Sequence, residues 1–167
     1  MAKNTPTKSP SASLALRRLQ AEIHLNSARV LRGMERRVHT LFLEEGIENL
    51  TPAQGNVLML LFHRKEPTRA KALAQEFSVS EVTMGRFVHS LEASGWIRRE
   101  RDPADARAWL VSPTPQAYTT LGSLITVSNR MMDEAFRDFE PEEIEVFHAQ
   151  TRRVVSNLSM DDVDSED

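Results

Sequence analysis

The run SVSEVTMGRFVHSLEASGWIRRERDPADARAWLV, from Ser78 to Val111, limits the folds open to this chain more than any other stretch. Ser80 is placed as a helix N-cap, and Met84, Phe87, Val88 and Leu91 recur at i, i+3, i+4 and i+7, which aligns them on one buried stripe. Gly95 ends that helix. The remainder reads as a basic strand, a charged loop and a second strand, which together form a wing. Just upstream, Ala70 to Phe77 (AKALAQEF) gives a short amphipathic helix, with only Ser78 and Val79 before the next one. Two helices joined that tightly make a helix-turn-helix, a motif whose second helix enters DNA.

Once Met84 to Leu91 face inward, the opposite face of the second helix presents Val82, Gly85, Arg86 and His89, flanked by Thr83 and Ser90. From Ser80 to Ser94 the helix would span roughly 22 Å, ample for a major groove about 12 Å wide. Arg86 can pair with a phosphate or a guanine edge, and Thr83 can touch a thymine methyl or a phosphate. Gly85 on an exposed helical face costs about 1 kcal/mol relative to Ala, which fits close backbone approach to DNA or drift at a tolerant site. In the first wing strand Arg99 and Arg101 share one face and Arg98 takes the other. The competing reading of these polar positions is an ordinary solvated surface. Trp96 directly follows the helix stop, which favours a core position over base stacking.

The flanking segments carry more apolar surface than a small helix-turn-helix can cover. A long helix is predicted from Leu14 to about Leu43, with Leu16, Leu19, Ile23, Val30, Met34, Val38 and Leu41 at helical spacing and Gly46 as terminator. Thr51-Pro52-Ala53-Gln54 opens another helix with a capping box, and its Val57, Leu58, Leu60, Leu61 and Phe62 should be buried centrally. Beyond the wing, Ala117 to about Phe139 reads as a helix, and Pro141 with Glu142 and Glu143 starts the last one. There Ile144, Phe147, Thr151, Val154 and Leu158 form a seam-like stripe, for which a homodimer interface is the natural cover.

Composition narrows the alternatives. The absence of Cys excludes disulfides and thiolate metal sites. No apolar run approaches the roughly 18 residues of a membrane span and Met1 to Pro10 lacks the apolar core of a signal peptide, so no membrane partner and a cytoplasmic location are expected. The formal charge of −3 is not that of a strongly basic DNA binder, yet setting aside Asp161, Asp162, Asp164, Glu166 and Asp167 changes it to +2. Arg98, Arg99, Arg101 and Arg107 outnumber Glu100, Asp102 and Asp105 in the wing, and phosphate binding needs local positive charge. No phosphate-cradling Gly loop, His-Glu-x-x-His or nucleophile motif occurs, and the Glu35/His39 and Glu145/His148 pairs read as helix surface pairs. No enzyme activity, cofactor or metal is expected.

Leu73-Ala74 before the turn, Ser80-x-x-Thr83, Leu91-Glu92-Ala93-x-Gly95, Arg98-Arg99 and Asp105-x-Arg107 occur in an order and spacing that resembles the MarR family of winged helix-turn-helix transcription regulators, over roughly Leu16 to Leu158. Pro113-Thr114-Pro115-Gln116-Ala117 departs from the family's Leu-Thr-x-x-Gly, which leaves the start of the next helix open. The resemblance implies that Arg107 enters the minor groove at the wing tip and that Asp105 holds an arginine, one of those on the first wing strand. It also implies paired terminal helices and a small, often aromatic or phenolic effector bound near them. The expected fold is mainly α with a small β wing (α+β): a winged helix-turn-helix domain over 51–112, terminal dimerisation helices within 13–50 and 113–159, a disordered tail over 1–12 and an acidic tail over 160–167. The expected function is sequence-specific regulation of transcription, most simply repression, by a homodimer on a pseudo-palindromic double-stranded DNA site. The residues assigned to DNA are Ser80, Val82, Thr83, Gly85, Arg86, His89, Ser90, Arg99, Arg101, Asp105 and Arg107. The rival is a winged-helix protein-interaction module, against which the wing arginines argue because a docking surface would expose apolar groups instead.

Overall fold

The computed structural model describes residues 10–159. The acidic run from Asp161 and the first nine residues, on which the two tail expectations largely fall, lie outside the described residues. Helix α1 (Pro10–Glu44) begins at Pro10, four residues ahead of the predicted Leu14 and inside the segment assigned to the N-terminal tail; proline is well suited to a first helical turn. Then follow α2 (Pro52–Arg64), β1 (Thr68–Arg69), α3 (Ala70–Glu76), α4 (Glu81–Ala93), β2 (Ile97–Asp102), β3 (Asp105–Pro113), α5 (Pro115–Ala135) and α6 (Pro141–Ser159). The two-residue strand β1 was not foreseen.

The same termination motif closes three helices. Gly46 and Ile47 return their amides to Leu43 and Phe42 at the end of α1, and Gly95 and Trp96 return theirs to Glu92 and Leu91 at the end of α4. Both glycines are left-handed, at φ 67° and 76°. At the end of α3 the pattern recurs with Ser78, at φ 49°, in the glycine position. That turn sets the tight junction of the helix-turn-helix.

Helix α2 starts with the full capping box: the Gln54 amide donates to Thr51 Oγ1 at 3.3 Å, and the Thr51 amide donates to Gln54 Oε1 at 3.0 Å. It lies at the centre of the core, where Val57, Leu58 and Leu61 join Leu41, Leu73, Met84, Leu91 and Val111, all of them essentially inaccessible. At Gly55 an added Cβ would stand 2.9 Å from Phe42 Cζ, so glycine is what lets α1 and α2 approach there. The sheet is antiparallel in the order β1-β3-β2, with Thr68 opposite Val111 and Arg101 opposite Trp109.

The doubtful start of α5 resolves two residues before the predicted Ala117. Thr114 caps it through the Ala117 amide, and the Thr114 hydroxyl donates to Gly95 O at 2.7 Å, tying the helix to the foot of the wing. Its end also differs from expectation, at Ala135 rather than near Phe139. Phe136 opens a turn in which its ring meets Phe139 and Phe147 edge-on, and the Glu143 carboxylate then accepts from the Glu140 amide to start α6.

The chain divides into two compact units at Ser128/Asn129, within α5. The first contains the core just described. In the second, α6 carries Ile144, Val146, Phe147, Val154, Val155 and Leu158, all exposed. On α1, in the first unit, Leu16, Leu19, Ile23 and Val30 are likewise exposed.

Candidate nucleic-acid interface

Helix α4 is capped as its sequence predicts. Ser80 Oγ accepts from the Thr83 amide at 3.1 Å and lies 2.9 Å from the Thr83 hydroxyl. Exposed Ser80 and half-buried Thr83 are therefore engaged with one another at the start of the helix. Met84, Val88 and Leu91 point into the core, which turns Val82, Gly85, Arg86, His89 and Ser90 outward, all exposed. Around Gly85 an added Cβ would meet nothing within 4 Å, so no packing within the chain requires glycine there. Lys71 on α3 reaches Glu81 at 3.5 Å across the helix-turn-helix.

Trp96 is core, 5% exposed, and its indole N–H donates to Asn49 O at 3.3 Å. The strands that follow display their arginines unequally. Arg98 donates through Nε to Ser112 Oγ at 3.1 Å, whereas Arg99 is ion-paired with Glu92 of α4. Arg101 lies over the Trp109 ring, 4.0 Å from its centroid. Arg107 is exposed near the turn of the hairpin, and its amide donates to Asp105 Oδ1 at 3.0 Å. Asp105 thus shapes the backbone beside Arg107.

Asp102, a residue not assigned from sequence, is paired with an arginine from outside the hairpin. Arg69 of β1 donates through Nε at 2.6 Å to its Oδ2, while Oδ1 accepts from the Ala104 amide at 2.8 Å. That amide first, and the Arg69 guanidinium with it, hold the Asp102 carboxyl below the usual aspartate range. Arg99 does the same for Glu92, mainly through its hydrogen bond. Asp102 and Arg69 escaped notice because their pairing depends on β1, which is too short to leave a periodic signal. Trp109 was recoverable in principle: it stands two residues after Arg107, on the same strand face.

A tight pair of helices, a three-stranded sheet with a projecting hairpin, and an outward polar face on the second helix define a winged helix-turn-helix domain. The family model described as the MarR family matches residues 50–109, which span α2 to the middle of β3. The transcriptional regulator HosA of Escherichia coli O111:H- is 25% identical over 118 residues, 71% of this chain and 87% of that protein. The crystal structure of MarR, at 28% identity, superposes with a TM-score of 0.66 over 83% of this chain and 98% of that one. Reduced AbfR, solved bound to DNA, shares the fold at 19% identity, with a TM-score of 0.72 over 86% of this chain and 96% of its own. Residues 50–109 match the MarR family of transcriptional regulators, and the chain is similar to proteins of that family over most of its length.

Proposed function

We propose that this regulator binds a pseudo-palindromic operator sequence-specifically as a homodimer, acting in the cytoplasm as a repressor that a small effector releases. The observation that carries the reading is the outward face of α4, where Gly85, Arg86, His89 and Ser90 are exposed together while Arg107 is exposed on the hairpin beside it. A helix and a wing so disposed suit one major groove and its neighbouring minor groove. The AbfR structure, a complex with DNA on the same fold, supports that use of the surface.

The homodimer is supported by the apolar side chains left open along α1 and α6, more than an isolated small domain usually exposes. Among the described residues no helix is long and apolar enough to cross a membrane. For the effector, the single chain offers a cleft of about 450 Å³ beside Asn49, Trp96, Gln116 and Thr120. Its lining is mainly polar, a poor match to an aromatic ligand.

The test is a fluorescence-anisotropy titration of the full chain against duplexes tiling the DNA around its own coding region. Selective binding to one segment over a scrambled duplex is expected. Equal affinity for both would remove the operator-binding reading and favour the interaction module.

A further inference from the structure

Where the recognition helix meets the wing, three side chains form a chain of contacts that the proposed DNA contacts do not explain. Glu92 lies in the last turn of α4, Arg99 on β2 and Trp109 on β3. The Arg99 guanidinium is ion-paired with the Glu92 carboxylate and stands 5.3 Å from the Trp109 ring centroid. Both members of the pair are only about one-third exposed, and Arg99 Nε is buried without a hydrogen-bond partner. Arg101, two residues on, stacks on the same ring at 4.0 Å.

An arginine that holds a phosphate must offer the edge of its guanidinium to the DNA. Arg99 instead has Nη2 on the Glu92 carboxylate and Nε buried, and its charge is balanced locally by Glu92. We infer that Arg99 is a positioning residue rather than a DNA contact, and that with Glu92 and Trp109 it clamps the wing to the end of the recognition helix. The clamp fixes the angle at which Arg101 and Arg107 approach the duplex when α4 occupies its groove. Without it the hairpin would be held to the rest of the domain mainly by the Arg69–Asp102 pair beside its turn and by the pairing of β1 with β3. The inference rests on the DNA-binding reading above. The Glu92 carboxyl is held below its ordinary range chiefly by its hydrogen bond from Arg99, so it is ionised at neutral pH.

Two measurements on the full chain test the clamp. In the first, Arg99→Gln, Glu92→Gln and the double variant are titrated across a salt series against the preferred duplex, with Arg107→Ala as the reference for a true contact. Each single variant should lose roughly 3- to 30-fold in affinity, and the double variant should lose no more than the worse single one. The salt slope of Arg99→Gln should match the parent's, whereas that of Arg107→Ala should fall by about one. Glu92→Gln gives the clearest sign: deleting an acid near DNA strengthens binding if charge alone matters, and weakens it if the clamp matters. Trp109→Phe, which retains a ring, should stay near the parent, while Trp109→Leu should behave like Arg99→Gln.

The second measurement is hydrogen exchange of the β2 amides without DNA. Arg99→Gln and Glu92→Gln should each exchange faster there, on the order of tenfold, with the α2 core unchanged, which also verifies that the variants fold. A slope reduced by one in Arg99→Gln, tighter binding by Glu92→Gln, or unaltered β2 exchange would each overturn the clamp. A parent that shows no selective binding overturns the DNA reading itself, and the exchange result then still decides whether the clamp exists.

Discussion

Among single side chains, two carboxylates with shifted titration bear on the wing, one at the end of β2 and one in the last turn of α4. Asp102 and Glu92 are both held below their ordinary ranges in the folded chain. A depressed folded value means that the stabilising contribution is complete above the unfolded carboxylate value, about pH 4, and is lost as pH falls through the folded one. The wing should therefore loosen on acidification below about pH 4, before the α2 core does. Amide exchange of β2 and β3 across an acid series measures this, and Asp102→Asn should remove much of that sensitivity beside the hairpin turn. A wing that opens only together with the core would refute the prediction. At the outer surface Arg86 and Arg107 should fail in different ways. Arg86→Ala should cost about 1–3 kcal/mol and relax selectivity within the half-site if it reads a base, or weaken all sequences alike if it holds a phosphate. Arg107→Ala should flatten the salt dependence and relax preference for A·T pairs at the outer edges of the site. A panel of single-base variants measured at several salt concentrations separates these outcomes, and parent-like binding by both variants would show that this surface is not the reader.

For the helices, two glycines with opposite surroundings give a matched test. Gly55 faces Phe42, where an added methyl would stand 2.9 Å from the buried ring, while Gly85 faces open space. Overpacking costs about 1–3 kcal/mol. The helix preference of Ala returns about 1. Gly55→Ala should thus lower stability by roughly 1 kcal/mol. Gly85→Ala should raise it by about the same amount, because only the preference acts. Urea denaturation reads both, and equal midpoints would contradict the local packing. If Gly85→Ala also lowers DNA affinity, glycine is there for close approach to the duplex. The contrast marks what the sequence reveals at this scale. Periodicity gave the stripe of Met84, Val88 and Leu91, and cap chemistry gave Thr51, Ser80 and Gly95, since both depend on neighbours along the chain. The clash behind Gly55 was hidden because it depends on the crossing of α1 and α2. Likewise the Arg69–Asp102 and Glu92–Arg99 pairs require the register of β1, β3 and β2, which no local pattern encodes. Arg99 therefore read as one more wing cation, although the structure turns it toward α4.

At the level of the whole molecule, the apolar stripes on α1 and α6 are the largest feature that a single chain leaves unexplained. Leu19 and Ile23 are 57% and 62% exposed on α1, and Val154 and Leu158 are 55% and 70% exposed on α6. Fully burying a side chain of this kind is worth about 1.5–3 kcal/mol, so stripes of this extent provide ample driving force for association. The spacing of the α6 residues was legible from sequence, but the identity of what covers them was not, because periodicity reports a face and not its partner. A homodimer built on these helices predicts a single species of twice the chain mass by light scattering at micromolar concentration. Deleting the chain from Glu140 onward should give aggregated or unfolded protein, since the apolar surfaces paired with α6 in such a dimer would lose their cover. Deletion alone could mislead by simple misfolding, so the paired variant Val154→Glu with Leu158→Glu provides the milder case. It should retain its helical circular dichroism, shift toward monomer, and bind the operator more weakly with loss of cooperation between half-sites. A monodisperse, well-folded monomer for the parent would end the dimer reading, and a charged variant that remained fully dimeric would move the interface away from α6.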